Sequence, residues 1–329
     1  MEQCTDSRAT RDSISHIASL PDELLAAILQ LLDNRTGIPI ARVVCRLWWN
    51  LLKRKKCRSI YAEFCAKAAA EGHLSILQWA MPTTSLSEQH QQQICSSAAD
   101  GGHLAVLKWL REIGCGWGKA TCYNAAKSGN VEMLKWAREN GCEWDAMTCS
   151  ALAERGDLAT LKWARENGCS WGTMTCICAC RGGHLELLKW ARKQGCPWIN
   201  ECCGEAARNG HFKVLKWLRK NGCEWDLYTC DVAAKRGDIE MLKWAIEKGC
   251  PWSAEISKAA ANLEVLKLLK AKGAPWYPEV CENAADWGDL EMLKWARENG
   301  CPWTKYTCYA AAASGKLEVL KWAMENNCP

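Results

Sequence analysis

The chain has 329 residues, of which 49% are hydrophobic and 24% charged, and this balance excludes an intrinsically disordered protein. Its net charge of +5 is weak for this length and does not favour a nucleic-acid-binding platform. No apolar run reaches membrane-spanning length and the first residues lack a signal-peptide core, so we expect a cytoplasmic or nuclear protein that contacts no membrane.

The N-terminal part begins with a polar stretch, residues 1–15, which we interpret as a disordered tail. A leucine-rich segment follows, and its pattern L-P-x-E-L-L-x-x-I-L, then V-C-R-x-W, resembles the F-box over residues 16–56. The middle loop, Asp33 to Ala41, is about one residue longer than is usual in that family. The positions that carry the resemblance are Leu20, Pro21, Leu24, Leu25, Ile28, Val44 and Trp48.

The F-box resemblance implies a partner. In that family the leucine-rich face docks on a Skp-type adaptor, which joins a cullin ubiquitin ligase. A module of about 40 residues buries too little surface to be stable alone, which also favours a partner. The alternative interpretation is a capping helix pair for the rest of the chain. The resemblance implies adaptor contacts for Leu20, Pro21, Leu24, Leu25 and Ile28, with Val44 and Trp48 mainly in packing and partly at the interface.

Residues 60–329 repeat themselves. The triplet Leu-Lys-Trp recurs every 27 residues, and a second Trp follows eight residues later after every triplet but the last. A fixed period of this size is typical of stacked helix pairs that cannot bury their apolar faces alone. One unit is shortened and carries Leu268 at the Trp position. The Trp of the triplet stands at 109, 136, 163, 190, 217, 244, 295 and 322.

A representative unit, Thr148 to Gly168, predicts two short helices. We expect Thr148 to cap the first helix, Gly156 to end it in the left-handed conformation, and Asp157 to cap the second helix. Other units replace Asp157 by Asn130, Asp289 or a histidine, and we expect these residues to cap in the same way. The histidines are His103, His184 and His211.

The unit pattern A-A-x-x-G-H-L-E-x-L-K, followed by N-G-C, resembles the ankyrin repeat, with Thr-Cys where that family has Thr-Pro. The ankyrin unit has about 33 residues, so about six are missing here, at the place of the ankyrin β-hairpin. The resemblance implies an all-α, ankyrin-like helix-turn-helix solenoid of about ten repeats with shortened or absent β-hairpin fingers. A small three-helix F-box-like module would precede it.

The chain has 23 cysteines, and most stand in two columns, one on the first helix and one before the second Trp. Zinc sites favour tight Cys pairs or Cys/His clusters, and no histidine column accompanies these cysteines. We interpret them as reduced core thiols and expect no metal or cofactor, with a metal or redox role as the alternative. The Trp columns are interpreted in the same way, as core filling rather than as a stacking ladder for bases.

The binding surface is predicted at positions that vary between units. Apolar and aromatic residues at these positions suit protein recognition. No phosphate loop, nucleophile elbow or paired His/Cys constellation is found, so we expect no catalytic residue and no enzyme. The hypothesis is a substrate receptor of a Skp/cullin-type ligase with an unknown target, and the alternative is an interaction scaffold without a ubiquitin role. The candidate target-binding residues are Met147, Met174, Tyr228, Trp287, Tyr306 and Tyr309.

Overall fold

The computed structural model describes residues 58–81 and 86–329. The predicted tail and the F-box-like module, residues 1–15 and 16–56, lie outside the described residues. The same holds for every predicted adaptor contact, namely Leu20, Pro21, Leu24, Leu25, Ile28, Val44 and Trp48.

The described residues form 19 α-helices and one 3-10 helix. They are arranged as about ten consecutive pairs, each with a first helix, a tight turn and a second helix. In chain order the pairs are α1 (Arg58–Ala70) and α2 (Leu74–Ala80); α3 (Glu88–Asp100) and α4 (Leu104–Glu112); α5 (Lys119–Ser128) and α6 (Val131–Glu139); α7 (Ala146–Arg155) and α8 (Leu158–Glu166); α9 (Thr173–Arg181) and α10 (Leu185–Lys193); α11 (Glu201–Arg208) and α12 (Phe212–Lys220); α13 (Thr229–Arg236) and α14 (Ile239–Glu247); the 3-10 helix (Ile256–Ala259) and α15 (Leu263–Ala271); α16 (Pro278–Trp287) and α17 (Leu290–Glu298); α18 (Lys305–Ala313) and α19 (Leu317–Glu325).

The prediction of an all-α repeat solenoid is confirmed, and residues 58–81 and 86–329 contain no strand. Between consecutive pairs the chain makes only a short turn where an ankyrin repeat has its hairpin. The described residues divide into two compact units. The first ends at Leu152 and also includes Trp163–Ser170, and the second comprises Ala153–Lys162 and Trp171–Pro329. In the described part of the chain, no helix is both long and apolar enough to cross a bilayer.

Within each unit, small side chains let neighbouring first helices pack together. Helix α3 packs against α1 and α5 in the first unit, and α11 packs against α9 and α13 in the second. On α5 the contact residues are Cys122, Ala125 and Ala126, which are at most 1% exposed. Because the distance between packed helices depends on the side chains between them, the repeated Cys-x-x-Ala-Ala motif keeps neighbouring first helices close.

The turn inside each pair follows from one glycine. Gly156 has φ 75°, a left-handed conformation that costs glycine little because it has no β-carbon. Asp157 then caps α8 as predicted, since the Thr160 amide donates to Asp157 Oδ1 at 2.9 Å. Thr148, in contrast, is not a cap. It lies inside α7, where its hydroxyl is buried without a hydrogen-bond partner, and Asp145 accepts the Met147 amide at 3.0 Å instead.

The histidines at the Asp157 position do not cap, which corrects the prediction made for them. His184 accepts no hydrogen bond from the first turn of α10. Its Nε2 instead donates to the backbone oxygen of Glu154 at 2.9 Å, one repeat earlier. His211 reaches the Arg181 oxygen at 3.0 Å in the same way. The imidazole therefore satisfies a carbonyl at the end of the preceding first helix.

The shortened unit keeps its terminal hydrogen bonds although most of its first helix is lost. Its first element is the single-turn 3-10 helix, and Asn262 Oδ1 accepts the Val265 amide at 2.9 Å to cap α15. The Ala261 amide donates to the Ala234 oxygen at 3.1 Å, across to the preceding first helix. In this unit a backbone amide therefore donates the hydrogen bond to the preceding first helix that a histidine ring donates in other units.

Replacing Gly156 with alanine should lower the free energy of unfolding more than replacing Gly168. Both glycines are left-handed, with φ 75° and 83°, so alanine costs about 1–2 kcal/mol of backbone strain at each. A β-carbon at Gly156 would also lie 2.4 Å from His184 Nδ1. A β-carbon at Gly168 would have no neighbouring atom within 4 Å. Urea unfolding of both variants measures the difference. In a His184→Ala background the two costs should become equal, and equal costs with His184 present would contradict the steric role of the ring.

Candidate recognition surface

The cysteine columns lie in the core. Twenty cysteines lie in the described residues, none is in a disulfide, and all but Cys308 and Cys328 are buried. The Cys142 thiol donates to the Gly118 oxygen at 3.5 Å. Among the described residues, no three His, Cys, Asp or Glu side chains are placed to hold a metal ion. The thiols therefore act as small, mostly buried packing groups.

Burial makes some of these thiols weaker acids than a free cysteine. It raises the pKa of Cys95 from the ordinary 9.0 to about 12 and the pKa of Cys178 to about 11. For Cys122, the hydrogen bond with the Cys142 thiol and then burial raise the pKa. Since the thiolate is the reactive form, such thiols are poor nucleophiles at neutral pH.

The repeated tryptophans were interpreted as core filling, and the structure places them half-buried along the edge of the core. Trp144 and Trp163 are half-buried and meet edge to face with ring centroids 5.5 Å apart. Arg138 lies over Trp144 at 4.7 Å, and its Nη1 donates to the Cys142 oxygen at 3.2 Å. An indole is too large for the narrow space between first helices, so these rings cover the second-helix side of the core. The Arg138 guanidinium is therefore already engaged by the Trp144 ring and by the Cys142 carbonyl.

The first of the two compact units carries a shallow hollow where α5 and α7 begin. Its volume is about 210 Å³, and its walls are Lys119, Ala120, Tyr123, Asp145 and Met147. The Met147 side chain is 45% exposed. The hollow therefore combines an apolar side chain and a tyrosine ring with one positive and one negative charge.

The second of the two compact units carries an aromatic pair on α18. Tyr306 is 57% exposed and Tyr309 is 70% exposed, and residues three apart lie on the same helix face. The Lys305 ammonium lies 5.5 Å from the Tyr306 ring. On the neighbouring helix α16, Glu282 accepts a hydrogen bond from the Thr304 hydroxyl at 2.9 Å. Two open phenol rings with charged neighbours form what we call the tyrosine patch.

Trp287 is exposed but lies apart from the tyrosine patch. It is 46% exposed and is the last residue of α16. Helices α16 and α18 run parallel, because Ser314 after α18 donates to Asp286 near the end of α16. Counted back from Ser314 at 1.5 Å per residue, Tyr306 lies about 12 Å and Tyr309 about 8 Å along the axis from the end of α16.

The remaining candidates stand alone on their helices. Met174 on α9 is 39% exposed, and Tyr228, just before α13, is 62% exposed. Beside Tyr228, Leu227 is 65% exposed, and the sequence analysis did not select it. The signal for Leu227 was available, since this column also varies between units, with Lys119 and Lys305 among its members. All six predicted target-binding side chains are exposed, but the structure brings only Tyr306 and Tyr309 together.

Comparison with known proteins adds the following. No family model matches the chain, and no curated protein matches it. Among solved structures, the human ASB11 ankyrin repeat domain is 18% identical with a TM-score of 0.40, over 55% of this chain and 96% of that one. The pentatricopeptide repeat protein PPR10, in complex with an 18-nucleotide psaJ RNA element, is 13% identical with a TM-score of 0.37, over 97% of this chain and 63% of that one. Maize PPR10 alone gives 13% identity and a TM-score of 0.27, over 95% and 64%.

The chain is similar to helical-repeat proteins of more than one kind and spans just under two thirds of PPR10. All three TM-scores are below 0.5. The assignment of the fold therefore rests on the helix pairs described above and not on these similarities. The helices, their turns and their exposed first-helix side chains define the class, an all-α repeat protein with open apolar positions on its surface.

The stability of the array should fall as the pH rises above about 9. In the unfolded chain the Cys95 thiol ionises near 9.0, whereas in the fold it ionises near 12. The unfolded state therefore binds fewer protons between these values, and each such thiol removes up to about 1.4 kcal/mol per pH unit. Urea midpoints at pH 7, 9 and 10 measure the loss. Cys95→Ala should lose less between pH 9 and 10, and a constant wild-type midpoint would contradict the effect of burial.

Proposed function

We propose that the chain is a non-enzymatic interaction protein whose repeat array binds a target protein through its first-helix side chains. The observation that carries this proposal is the tyrosine patch. The two tyrosines are 57% and 70% exposed, and tyrosine is among the residue types enriched in binding hot spots. No residue of the second compact unit covers the two tyrosine rings.

The chemistry of the patch favours a protein target. The Tyr306 ring lies near Lys305, and Glu282 holds the Thr304 hydroxyl at the start of the same helix. A bound segment would therefore place apolar side chains on the rings and polar groups at the rim, as protein interfaces do. A nucleic acid is less suited. The arginines of the tryptophan edge are occupied, as Arg138 is, and the net charge is only +5.

We further propose that the chain is a substrate receptor of a Skp/cullin-type ubiquitin ligase. The support is the F-box resemblance of residues 16–56, with Leu20, Pro21, Leu24, Leu25 and Ile28 as adaptor contacts. A receptor of this kind performs no chemistry. It raises the effective concentration of the target at the ligase, and the array and the module must then act from one chain.

Replacing Leu20 and Pro21 with alanine should abolish binding to a purified Skp-type adaptor. The resemblance assigns both side chains to the adaptor-binding face, and loss of an anchor residue at an interface costs at least about 2 kcal/mol. Surface plasmon resonance with the full chain gives the affinity, and circular dichroism checks that helix content is unchanged. Arg8→Ala with Arg11→Ala, in the tail, is the matched control and should bind normally. If the intact chain does not bind the adaptor, the interaction scaffold without a ubiquitin role is the correct alternative.

Replacing Tyr306 and Tyr309 with alanine should reduce ubiquitination of the target in cells by at least about tenfold, because hot-spot side chains each contribute more than about 1 kcal/mol. Proximity labelling identifies the neighbours of the chain, and ubiquitin-site mapping scores them. The control is Leu317→Ala with Met324→Ala, since these side chains are 74% and 66% exposed but belong to a second helix. A control that loses as much as the tyrosine variant would remove the first-helix surface from the proposal.

A further inference from the structure

The second helices share a charge pattern along one face. Three positions, spaced three and four residues apart, lie on the same side of each helix, where neighbouring charges interact. Several helices carry Glu, Lys and Glu at these positions, so that each lysine stands between two carboxylates. The helices with this stripe are α6 with Glu132, Lys135 and Glu139, α14 with Glu240, Lys243 and Glu247, α17 with Glu291, Lys294 and Glu298, and α19 with Glu318, Lys321 and Glu325.

Helix α12 departs from this pattern. At the same three positions it carries Lys213, Lys216 and Lys220, which are all exposed, and the helix contains no acidic residue. Like charges three and four residues apart destabilise a helix. The three lysines are therefore unfavourable for α12 itself, although other second helices show that glutamate is compatible with the fold at the first and third positions.

The preceding second helix, α10, extends the positive surface. Its exposed Lys193 stands in the place that Lys220 has on α12. Trp198, which follows α10, meets Trp217 of α12 with ring centroids 5.8 Å apart, so the two second helices are neighbours, and neighbouring helices lie about 10 Å apart. The stripe on α12 is about 10 Å long at 1.5 Å per residue. The side chains that form what we call the lysine patch are Lys193, Lys213, Lys216 and Lys220.

The protein does not neutralise the lysine patch. On α10 Glu186 pairs with Lys189 at 2.6 Å, but none of the ion pairs of the described residues includes a lysine of the patch. Lys216 contacts a ring instead, since its ammonium lies 3.9 Å from the centroid of Phe212. That ring in turn meets Trp244 edge to face at 5.4 Å. The charges of the patch are therefore open to a partner.

The positive surface is limited in extent. On α14, the next second helix, Glu240 and Glu247 stand in the places of Lys213 and Lys220, and both glutamates are exposed. Glu224, in the turn after α12, is exposed as well. The lysine patch is thus about as long as one short helix, and carboxylates border it.

We propose that the lysine patch binds a short acidic segment of a partner protein. Aspartate and glutamate side chains complement the lysines in charge, and charge complementarity selects the partner and speeds its association. A segment of a few residues matches a surface of this length. The lysine patch lies on second helices, whereas the tyrosine patch lies on a first helix, so this surface is additional to the proposed target-binding surface and does not rest on it.

A nucleic-acid strand fits the lysine patch less well. A phosphate chain that continued beyond α12 would meet the exposed glutamates of α14. Arginine is the side chain best suited to phosphate recognition, and the arginines of these helices are engaged by rings. Arg192 lies 4.0 Å from the centroid of Trp198, and Arg219 lies 4.3 Å from that of Trp225. Lysine is a compact point charge on a flexible stem, which suits single carboxylates.

The experiment measures, by fluorescence anisotropy, the binding of a fluorescein-labelled octaglutamate peptide to the full-length protein. Lys213→Glu with Lys220→Glu gives α12 the charge pattern of α14. In this variant the affinity should fall at least about tenfold, because each change replaces an attraction with a repulsion. Raising the salt from about 50 to about 300 mM should also weaken binding to the wild type, because exposed charges are screened. Absence of binding to the wild type, or no fall in affinity in the variant, would overturn the proposal.

The matched control is Lys294→Glu with Lys321→Glu, which changes the net charge by the same amount. Both lysines are exposed and lie on α17 and α19, and this variant should keep at least about half of the wild-type affinity because the changes lie away from the patch. An equal loss in both variants would assign binding to net charge and overturn the lysine patch. Urea unfolding checks the fold, and the α12 variant should be at least as stable as the wild type because Glu-Lys neighbours stabilise a helix.

A labelled octauridylate RNA distinguishes an acidic protein segment from a nucleic acid. At the same salt concentration it should bind at least about fivefold more weakly than octaglutamate, because a phosphate strand gains most from arginine and these arginines are engaged. RNA binding as tight as peptide binding, and lost in the same α12 variant, would assign the lysine patch to nucleic acid and overturn the protein partner.

Discussion

The close packing of neighbouring first helices is the constraint on which the rest of each unit depends. Side chains such as Cys122, Ala125 and Ala126 are at most 1% exposed, and a larger side chain at these positions would push the helices apart. Cysteine fits because it is a small hydrophobe with a weak donor that can use a nearby carbonyl. Each 27-residue repeat therefore consists of two short helices joined by short turns.

Two features of the surface follow from that spacing. Tryptophan cannot enter the space between first helices, so the indoles cover the edge of the core, where edge-to-face contacts and arginines such as Arg138 close it. Some positions near the start of the first helices stay outside this packing, and Met147, Met174 and Tyr306 are open apolar side chains among them. Recognition and stability are assigned to different parts of the same unit.

The turns show how far sequence reasoning reaches. Gly156 and Asp157 adopt the predicted roles because both depend on the backbone within a few residues. Thr148 fails because a threonine near a helix start suits a cap or the third helical position, and the packing of α7 buries it. His184 fails because its partner, the Glu154 oxygen, belongs to the preceding repeat. The choice between local cap and distant carbonyl depends on how the helix pairs stack.

The sequence by itself determined the all-α repeat architecture, the helix pair, the left-handed glycines and the absence of a hairpin finger in the described pairs, because these follow from periodicity and local backbone preference. It also marked exposed candidates such as Tyr306 and Trp287 from their variation. Only the tertiary structure decided that the tryptophans cover the edge of the core and that His184 bonds the Glu154 oxygen of the preceding repeat. Those facts depend on the distance and rotation between packed helices, which a linear pattern does not contain.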